Sequence, residues 1–515
     1  MKRWSRKTRV LVFGTGAGGI NCYRQNSGRY NIVGFLDNDK QKQGKRLFGT
    51  KIFAPAELPH LRYDKILIAS DYYLEIHEQL VSSLNIDDNI ISIFHAGAAI
   101  PWFKRIKQTF LFALYDRLCK KRDVLSDAIF PFIFGKASGI KRMNLAWLDT
   151  CEAYRVHRFR EPMQGSVQPP RVLGVHTPPK RLLIPEVSLY RFNKATVYST
   201  SRSVQLPDGL LVMERVTTTA TPTADYCAGP VIYHGEHLAL VRPSESAEHI
   251  PKGIIINGVN ELNYYHWVAE TLTQLQFIRE LPQPFSNYPL LISERSQKIP
   301  AIRFMLDGLT KGHDIVFLKS MTAYDVDDLL MISAAVNLVP NYRGPVVGCA
   351  ENSFARPESI HFLRQTITHL TSSHSLRKMP TRILLARKDY LRKYNQRELI
   401  TLLEPYGFQP VYMDDLDIAD QISVIANAEL IMGPTGAAWT NLIFASPGTR
   451  ALCWMPMEFG ETACFSNIAD INGVEMDYIL YPAGTSNSRA LYFHDYTLDL
   501  KPIHEWVASK TSNPV

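Results

Sequence analysis

A glycine-containing turn near the C-terminus has the residue types that bind phosphate. It lies in the stretch AELIMGPTGAAWTNLIFASPG, residues 428–448. We predict a short buried strand at 429–432, broken by Gly433, Pro434 and Gly436, and then a helix at 437–445. Such a turn points free backbone N–H groups and the positive end of the helix dipole at one spot, which suits a phosphate or a diphosphate. The alternative is a plain strand-to-helix loop, because any α/β protein has several.

The segment NYYHWVAE, residues 263–270, is the second candidate for chemistry. His266 and Glu270 are i and i+4 on a predicted helix, so their side chains share one face. An ordinary imidazole titrates near pH 6.5 and can accept a proton from an attacking hydroxyl, while a carboxylate on its other nitrogen fixes the tautomer. The alternative for His266 is a helix cap or a packing contact beside Trp267.

Alternating strands and helices position the glycine turn. Asn395 and Glu398 have the spacing of a capping box, which predicts a helix running to about Tyr406. Strands are predicted at 382–387, 408–413 and 429–432, and helices near 395–406, from Asp420 onward, and at 437–445. This series is typical of a parallel sheet whose ligand site lies beyond the carboxyl ends of its strands.

These segments resemble the family 61 glycosyltransferases. The pattern R…N-x-x-E-L…D-Q-I…A-x-x-I-x-G-P-x-G-A-x-x-T-N-x-I-F…P-G is similar to the C-terminal half of that family, and NYYHWVAE is similar to its other signature. The resemblance spans about residues 252–457. One position departs from it: many members carry histidine where this chain has Thr435. A role for a histidine at that position is therefore in question, whereas the turn itself is kept.

The resemblance implies an inverting glycosyltransferase of polysaccharide or capsule biosynthesis that uses a UDP-linked sugar and needs no bound metal. Its acceptor would be a glycan or a lipid-linked glycan. His266 would be the general base and Glu270 its partner, and Asn263 and Trp267 would lie on the acceptor side. The residues expected to bind the donor are Arg387, Arg392, Lys393, Gly433, Thr435, Gly436, Ala437 and Asn441.

The fold class implied for this part of the chain is α/β, with a GT-B-like pair of Rossmann-type domains. The first, at 169–350, would bind the acceptor, and the second, at 351–490, would bind the donor. Residues 491–515 form a C-terminal tail, of which 492–506 is expected to cross back onto the first of these domains.

The N-terminal residues 1–98 are predicted to form a separate Rossmann-like nucleotide-binding domain. A strand at 9–13 leads into GTGAGG, and a second strand at 32–36 ends at Asp37. In a dinucleotide-binding unit the glycines allow close approach to phosphate and the acid binds ribose hydroxyls. The candidate binding residues are Gly14, Gly16, Gly18, Gly19 and Asp37.

The runs VGFLDND and GxxIFAPAEL within this domain resemble the small Rossmann-like domains of bacterial polysaccharide-biosynthesis proteins. The resemblance implies NAD or a nucleotide sugar as the ligand. Alternatively, the domain is degenerate and serves packing or assembly, with Asp37 as a turn acid.

Residues 99–168 are predicted to contain a basic amphipathic helix, at 101–122, and a linker rich in proline and glycine. The helix suits either an anionic membrane surface or a buried position between domains. The net charge of +8 fits an anionic surface or substrate and falls short of a nucleic-acid footprint. The chain has no apolar run of the roughly 18 residues that span a bilayer. We therefore expect a cytoplasmic protein, peripheral on the inner face of the membrane.

Two other interpretations concern metals and activity. The seven cysteines form no C-x-x-C pair, and His234 and His237 of the H-G-E-H turn are expected to be surface histidines. The acids Asp327, Asp328, Asp414 and Asp415 are expected to be loop or cap residues. A non-catalytic scaffold that senses nucleotide sugars is the main alternative function. An NAD-dependent sugar-modifying enzyme is a further one, although no Tyr-x-x-x-Lys pair follows the first glycine motif.

Overall fold

The chain divides into two compact units in the computed structural model. The first comprises Met1–Gln108, Arg387–Lys393 and Tyr492–Asp495, and the second comprises Thr109–Ala386, Tyr394–Leu491 and Tyr496–Val515. The residues described by the structure are 7–70, 76–77, 79–84, 86–87, 90–94, 140–221, 223–242, 244, 247–260, 263–320, 322–343, 348–371, 379–388, 392–485, 491 and 494–511. The predicted amphipathic helix at 101–122 lies outside them.

The first unit contains a six-stranded sheet in the order β3-β4-β2-β1-β5-β6. Its strands are β1 Arg9–Phe13, β2 Asn31–Leu36, β3 Arg46–Leu47, β4 Thr50–Phe53, β5 Lys65–Ile68 and β6 Ile91–Ile93. All neighbours pair in parallel except the β3–β4 hairpin. The helix Ala17–Asn26 follows β1. The strands predicted at 9–13 and 32–36 are confirmed, because their apolar runs are buried in this sheet.

The second unit contains two large sheets. Its strands are β7 Lys141–Trp147, β8 Arg155–Arg160, β9 Met163–Val167, β10 Arg171–Val172, β11 Lys180–Ile184, β12 Val187–Tyr198, β13 Ser203–Gln205, β14 Leu210–Met213, β15 Ala224–Asp225, β16 Val231–His234, β17 Leu238–Val241, β18 Ala247–Ile256, β19 Leu290–Ser293, β20 Ile315–Leu318, β21 Ala323–Ile332, β22 Val336–Leu338, β23 Asn341–Tyr342, β24 Ser353–Ala355, β25 Arg382–Leu385, β26 Gln409–Val411, β27 Leu430–Pro434, β28 Arg450–Pro456 and β29 Glu475–Tyr481.

The larger sheet is mixed and runs β16-β17-β7-β14-β13-β12-β21-β18-β19-β20, with β8 also paired to β12. Its β21-β18-β19-β20 part is parallel. The smaller sheet runs β10-β29-β28-β27-β25-β26, and every neighbouring pair in it is parallel. The parallel sheet predicted around the glycine turn is therefore confirmed.

One apolar cluster joins the two sheets of the second unit. Ile254 and Ile292 of the larger sheet and Ile431 and Cys453 of the smaller one are all fully buried in it. The α-helices of this unit are Pro300–Leu309, Pro357–Thr371, Gln396–Leu403, Ile418–Asn427, Cys464–Ile471 and Lys501–Lys510. The helix Pro357–Thr371 adds Ile360, Leu363 and Ile367 to the cluster, which places a shared apolar layer under both sheets. None of the helices in the described part of the chain is long and apolar enough to cross a membrane.

Two local predictions are wrong, one about the cap of a helix and one about the C-terminal tail, because contacts with distant residues decide both. Asn395 does not cap the helix Gln396–Leu403 through its side chain. Its Oδ1 instead accepts the Leu498 N–H at 2.9 Å and its Nδ2 donates to the Leu498 carbonyl at 3.1 Å. The C-terminal helix packs Ile503 and Trp506 with Leu384 and Met432 of the smaller sheet. The tail thus packs on the smaller sheet. The prediction that it crosses back onto the acceptor-side domain is wrong.

Candidate active site

The His266–Glu270 pair predicted from the i and i+4 spacing is present and buried. The chain leaves β18, turns, and enters a π-helical segment, His266–Thr271, that continues as the 3₁₀ helix Leu272–Glu280. His266 Nδ1 lies 2.7 Å from Glu270 Oε2, and the two residues are 6% and 5% exposed. Single turns of π-helix are frequent at functional sites.

The contact with Glu270 decides which imidazole nitrogen can act. Because the carboxylate accepts, Nδ1 carries the proton and Nε2 keeps the free lone pair. Asn260 Nδ2 lies 3.4 Å from that Nε2. The other Glu270 oxygen, Oε1, is buried and has no hydrogen-bond partner among the described residues. The pair thus has the geometry of a general base held in one tautomer by a buried carboxylate.

The glycine turn begins two residues later than predicted. Gly433 and Pro434 do not break the strand but belong to β27, where they pair with Cys453 and Trp454 of β28. A Cβ atom on Gly433 would lie 2.7 Å from the Leu385 Cβ, so this glycine allows two strands to approach. The close approach of the two strands therefore explains why residue 433 is glycine, and no bound ligand is needed to explain it.

The accessible part of the turn is Thr435–Ala438, and it leads into the helix Ala437–Phe444, which is 3₁₀. These four residues are partly exposed, whereas their neighbours on both sides are buried. Within the described part of the chain, no acceptor bonds the backbone N–H groups of Gly436, Ala437 or Ala438. Trp439 fixes the turn, because its N–H donates to the Gly436 carbonyl at 3.1 Å and its Nε1 donates to the Pro434 carbonyl at 2.9 Å. Consecutive N–H groups of this kind can receive a phosphate.

A tyrosine that the sequence did not single out joins the two motifs. Tyr264 donates its hydroxyl to Asn441 Oδ1 at 2.9 Å. Asn441 is 1% exposed, and its Nδ2 lies 3.4 Å from Gln421 Oε1. The helix that carries His266 is thereby tied to the helix that follows the glycine turn. Asn441, predicted to bind the donor, has its amide engaged inside the protein.

The predicted acceptor-side residues differ in position. Asn263 is exposed, and its Oδ1 accepts the Tyr265 N–H at 2.9 Å, which starts the helix. Trp267 is 2% exposed and belongs to the apolar cluster shared by the two sheets. Only Asn263 is therefore open to a ligand in this structure.

The three predicted donor cations Arg387, Arg392 and Lys393 fall in the first compact unit. The Lys393 N–H donates to Asp495 Oδ1 at 2.8 Å, and both residues belong to that unit. Their part in donor binding stays a prediction.

The glycines of the N-terminal motif have different structural roles. Gly14 has a φ of +106°, and Cβ atoms on Gly18 and Gly19 would lie 2.4 Å from the Ala69 carbonyl oxygen and 1.9 Å from the Gly14 carbonyl oxygen. Those three glycines bring the helix Ala17–Asn26 against the strands. Gly16 has no atom within 4 Å of such a Cβ, so the backbone is open there.

Asp37 closes the same motif from the end of β2. Its Oδ2 accepts the Thr15 N–H at 3.2 Å and the Thr15 hydroxyl, and its Oδ1 accepts the Asp39 N–H at 2.9 Å. Burial alone would raise the pKa of Asp37, but these hydrogen bonds and the charge of Lys42 outweigh it and lower that pKa. Asp37 acts as a turn acid here, and one that touches the glycine loop.

The prediction that His234 is a surface histidine is wrong, although His237 is exposed. His234 is 4% exposed, accepts the Tyr226 N–H on Nε2 at 3.0 Å, and places Nδ1 3.0 Å from the Gly235 carbonyl. Burial lowers the pKa of His234 to about 4. Asp225 and Cys227 place possible ligand atoms within 4.8 Å of it. The lone pair that a metal would need is already used by the Tyr226 N–H, so the cluster does not fit a metal ion.

A buried ion pair that sequence reasoning missed supports the loop before His266. Arg202 contacts Glu214 through short hydrogen bonds, and its Nη1 donates to the Asn257 carbonyl at 2.8 Å. Its Nη2 donates to the Ile332 carbonyl at 3.2 Å, and Glu214 Oε1 accepts the Ala334 N–H at 2.7 Å. Arg202 therefore holds the carboxyl ends of β18 and β21, from which the site is built. No local motif marks either residue.

The region that contains both motifs is similar to a known protein family. Residues 264–452 match the family model described as Glycosyltransferase 61. These matched residues include His266, Glu270 and the turn Thr435–Ala438. Residues 6–92 match a second model, C2185-like, N-terminal.

The chain is also similar to a curated relative. Over 175 residues the chain is 27% identical to an EGF domain-specific O-linked N-acetylglucosamine transferase from Bos taurus. The match covers 32% of this chain and 32% of the relative, so the chain spans about a third of that protein's length. The family model and this relative are both named for glycosyl transfer.

Among solved structures, the chain resembles a UDP-D-quinovosamine 4-dehydrogenase from Vibrio fischeri. The likeness has 19% identity, covers 18% of this chain and 80% of that one, and has a TM-score of 0.16. A score this low carries no argument about fold or activity.

Proposed function

We propose that this protein transfers a sugar from a nucleotide-sugar donor to a hydroxyl of a growing glycan, with inversion at the anomeric carbon. The observation that carries the proposal is the hydrogen bond from Tyr264 to Asn441, 2.9 Å long. It ties a buried histidine–glutamate pair to the turn in which the N–H groups of Gly436, Ala437 and Ala438 have no acceptor among the described residues, and both lie in the region that matches glycosyltransferases. One group removes a proton and the other receives a diphosphate, which are the two needs of sugar transfer.

In the proposed reaction His266 Nε2 takes the proton of the acceptor hydroxyl. The hydroxyl oxygen forms a bond to the anomeric carbon while the bond from that carbon to the diphosphate oxygen breaks, and the diphosphate leaves with the bonding electrons. The Glu270 carboxylate, 2.7 Å from Nδ1, stabilises the imidazolium that forms. The N–H groups of Gly436, Ala437 and Ala438 would stabilise the charge on the diphosphate, and Arg387 is proposed to assist them.

The donor class follows from the leaving group and from the relative. Consecutive backbone N–H groups such as those of Gly436, Ala437 and Ala438 suit a diphosphate, and the Bos taurus relative is named for transfer of N-acetylglucosamine. We therefore propose a UDP-linked sugar as donor, with UDP-N-acetylglucosamine the first to test, and a glycan of polysaccharide biosynthesis as acceptor.

The test is donor hydrolysis, in which water replaces an unknown acceptor. The full-length protein is incubated with a panel of nucleotide sugars, and release of the nucleoside diphosphate is followed. We expect slow hydrolysis of one donor, and a loss of about 10²- to 10⁴-fold in the His266→Ala variant, the usual contribution of a general base. Donor affinity, measured by calorimetry, should change little.

The matched control is His237→Ala, because His237 is exposed and lies outside the site. It should leave hydrolysis unchanged. A protein that binds a nucleotide sugar tightly and never releases the diphosphate would instead be a sensing scaffold, and the proposed activity would be rejected.

A further inference from the structure

The loop between β18 and the His266 helix contains an asparagine in an uncommon conformation. Asn260 is exposed and has a φ of +56°, in the left-handed region that asparagine tolerates better than most residues. Its carbonyl accepts the Asn263 N–H at 2.8 Å, and its Nδ2 lies 3.4 Å from His266 Nε2. The side chain thus reaches from the surface to the nitrogen that has the free lone pair.

Asn257 and Gly258 fix the start of this loop. Asn257, 4% exposed, donates its amide to the Ser201 carbonyl at 2.5 Å, and its own carbonyl accepts from Arg202 and from Gln274 Nε2. Gly258 packs so closely that a Cβ there would lie 2.6 Å from Thr271 Oγ1, in the His266 helix. Asn257 is thus held against Arg202 and Ser201, and Gly258 packs against the His266 helix, so the chain that leads to Asn260 starts from fixed positions.

We propose that Asn260 is a positioning residue that covers the basic nitrogen of His266 until the acceptor hydroxyl displaces it. The inference rests on the proposed function. In the free protein the amide N–H donates to Nε2 and occupies the place from which a hydroxyl would donate. An acceptor sugar takes over that hydrogen bond and frees the amide, which can then donate to another sugar oxygen. Water is a weaker competitor because it offers no further contacts, so the amide favours transfer over hydrolysis.

The first test measures how accessible the His266 nitrogen is, with diethylpyrocarbonate as the probe. This reagent modifies an unprotonated imidazole nitrogen, and peptide mass spectrometry separates His266 from the other histidines of the full-length protein. Asn260→Gly removes the amide and keeps a residue that accepts positive φ without strain. We expect its His266 to react about 2- to 12-fold faster, the scale of one hydrogen bond.

Two further variants distinguish positioning from loss of structure. Asn260→Asp keeps the size but places a carboxylate beside Nε2, which stabilises the unreactive protonated imidazole, so modification should become slower than in the natural protein. Lys194→Gly is the matched control, because Lys194 is an exposed residue of β12 with a φ of +55°. It should change nothing. Equal rates in all proteins, or shifts of the same sign in both Asn260 variants, would overturn the inference.

The second test is hydrolysis of UDP-N-acetylglucosamine by the same variants. Asn260→Gly should raise kcat for hydrolysis several-fold and leave the donor KM unchanged, because only the approach of water to the base is altered. If the natural protein hydrolyses no donor and yet the modification rates follow the expected pattern, the proposed function fails and the Asn260–His266 contact stands. If His266→Ala abolishes hydrolysis and Asn260→Gly changes neither readout, the function stands and this inference fails.

Discussion

At the scale of single residues, the site depends on side chains that contact each other across long sequence separations. Tyr264 and Asn441 are 177 positions apart and bond at 2.9 Å. Burial raises the pKa of the Tyr264 hydroxyl well above its usual value, so the hydroxyl stays protonated and acts as the donor. The Tyr264–Asn441 contact is therefore a hydrogen bond between two neutral groups.

The Tyr264–Asn441 bond can be measured by a double-mutant cycle. Tyr264→Phe keeps the ring and removes only the hydroxyl, and Asn441→Ala removes the acceptor. We expect each variant to lower the free energy of unfolding, with a coupling energy of about 1 kcal/mol, as for a typical net hydrogen bond. Denaturant unfolding of the four proteins provides the values. Strict additivity would show that the two groups do not interact.

The Asp37 carboxylate should make stability depend on pH. Burial would raise its pKa, but the hydrogen bonds from Thr15 and Asp39 and the charge of Lys42 lower it below the usual value. Since the folded pKa is the lower one, the contribution to stability is present above the unfolded pKa of about 3.9 and is lost as the pH falls through the folded value. Asp37→Asn should therefore destabilise the protein by about 1 kcal/mol at pH 7 and by progressively less in acid.

Chemical denaturation of both proteins at pH 7 and at acidic pH checks this expectation. A difference that stays constant across the whole range would mean that the Asp37 charge is not involved.

The His266–Glu270 pair was predictable because i and i+4 spacing sets side-chain proximity within one helix. The residues that contact this pair and support it could not be predicted from spacing. Asn260 reaches His266 through a left-handed backbone, and Arg202 holds the carbonyls of Asn257 and Ile332 from another strand. Contacts of this kind are fixed by tertiary packing, and no spacing in the sequence reports them.

At the scale of elements, the parallel sheet around the glycine turn was predicted correctly, whereas the ends of its strands and the mixed larger sheet were not. Apolar runs such as that of β27 must be buried, so strand positions follow from composition. Where a strand ends depends on its neighbour: Gly433 and Pro434 continue β27 because β28 offers them partners. In the same way, Asn395 bonds the Leu498 backbone and not its own helix.

The contact between the β18 loop and the His266 helix predicts the effect of one methyl group. In Gly258→Ala the new Cβ would lie 2.6 Å from Thr271 Oγ1, which donates to the His266 carbonyl at 3.2 Å. The helix must shift, so we expect a loss of about 1 to 3 kcal/mol in stability and a lower turnover for donor hydrolysis. Gly28→Ala is the control, because a Cβ there meets no atom within 4 Å. Unchanged turnover in Gly258→Ala would show that the helix tolerates the displacement.

At the scale of the whole molecule, the two compact units do not follow the linear order of the chain. Arg387–Lys393 and Tyr492–Asp495 fall in the same unit as Met1–Gln108, whereas the segments on either side of them belong to the second unit. The predicted donor residues Arg387, Arg392 and Lys393 are thus grouped with the N-terminal sheet. Sequence composition marks domains as continuous stretches, so this interleaving could not be predicted from it.

This division predicts what removal of the N-terminal part will do. A fragment that starts near Ser126 keeps both sheets of the second unit and the apolar cluster between them, so we expect it to fold with the thermal transition of a cooperative domain. The segment Arg387–Lys393 would lose most of its own unit. We therefore expect weaker UDP binding by the fragment than by the full chain, by about the 1.5 to 3 kcal/mol of one charged hydrogen bond, together with residual His266-dependent hydrolysis.

Calorimetry with UDP, on the fragment and on a full-length Arg387→Ala variant, distinguishes loss of the N-terminal sheet from loss of the Arg387 side chain. If the fragment and the Arg387→Ala variant lose the same UDP affinity, the first unit contributes to UDP binding by holding Arg387. If the fragment binds UDP as tightly as the full chain, donor binding does not depend on the N-terminal sheet, and this prediction is wrong.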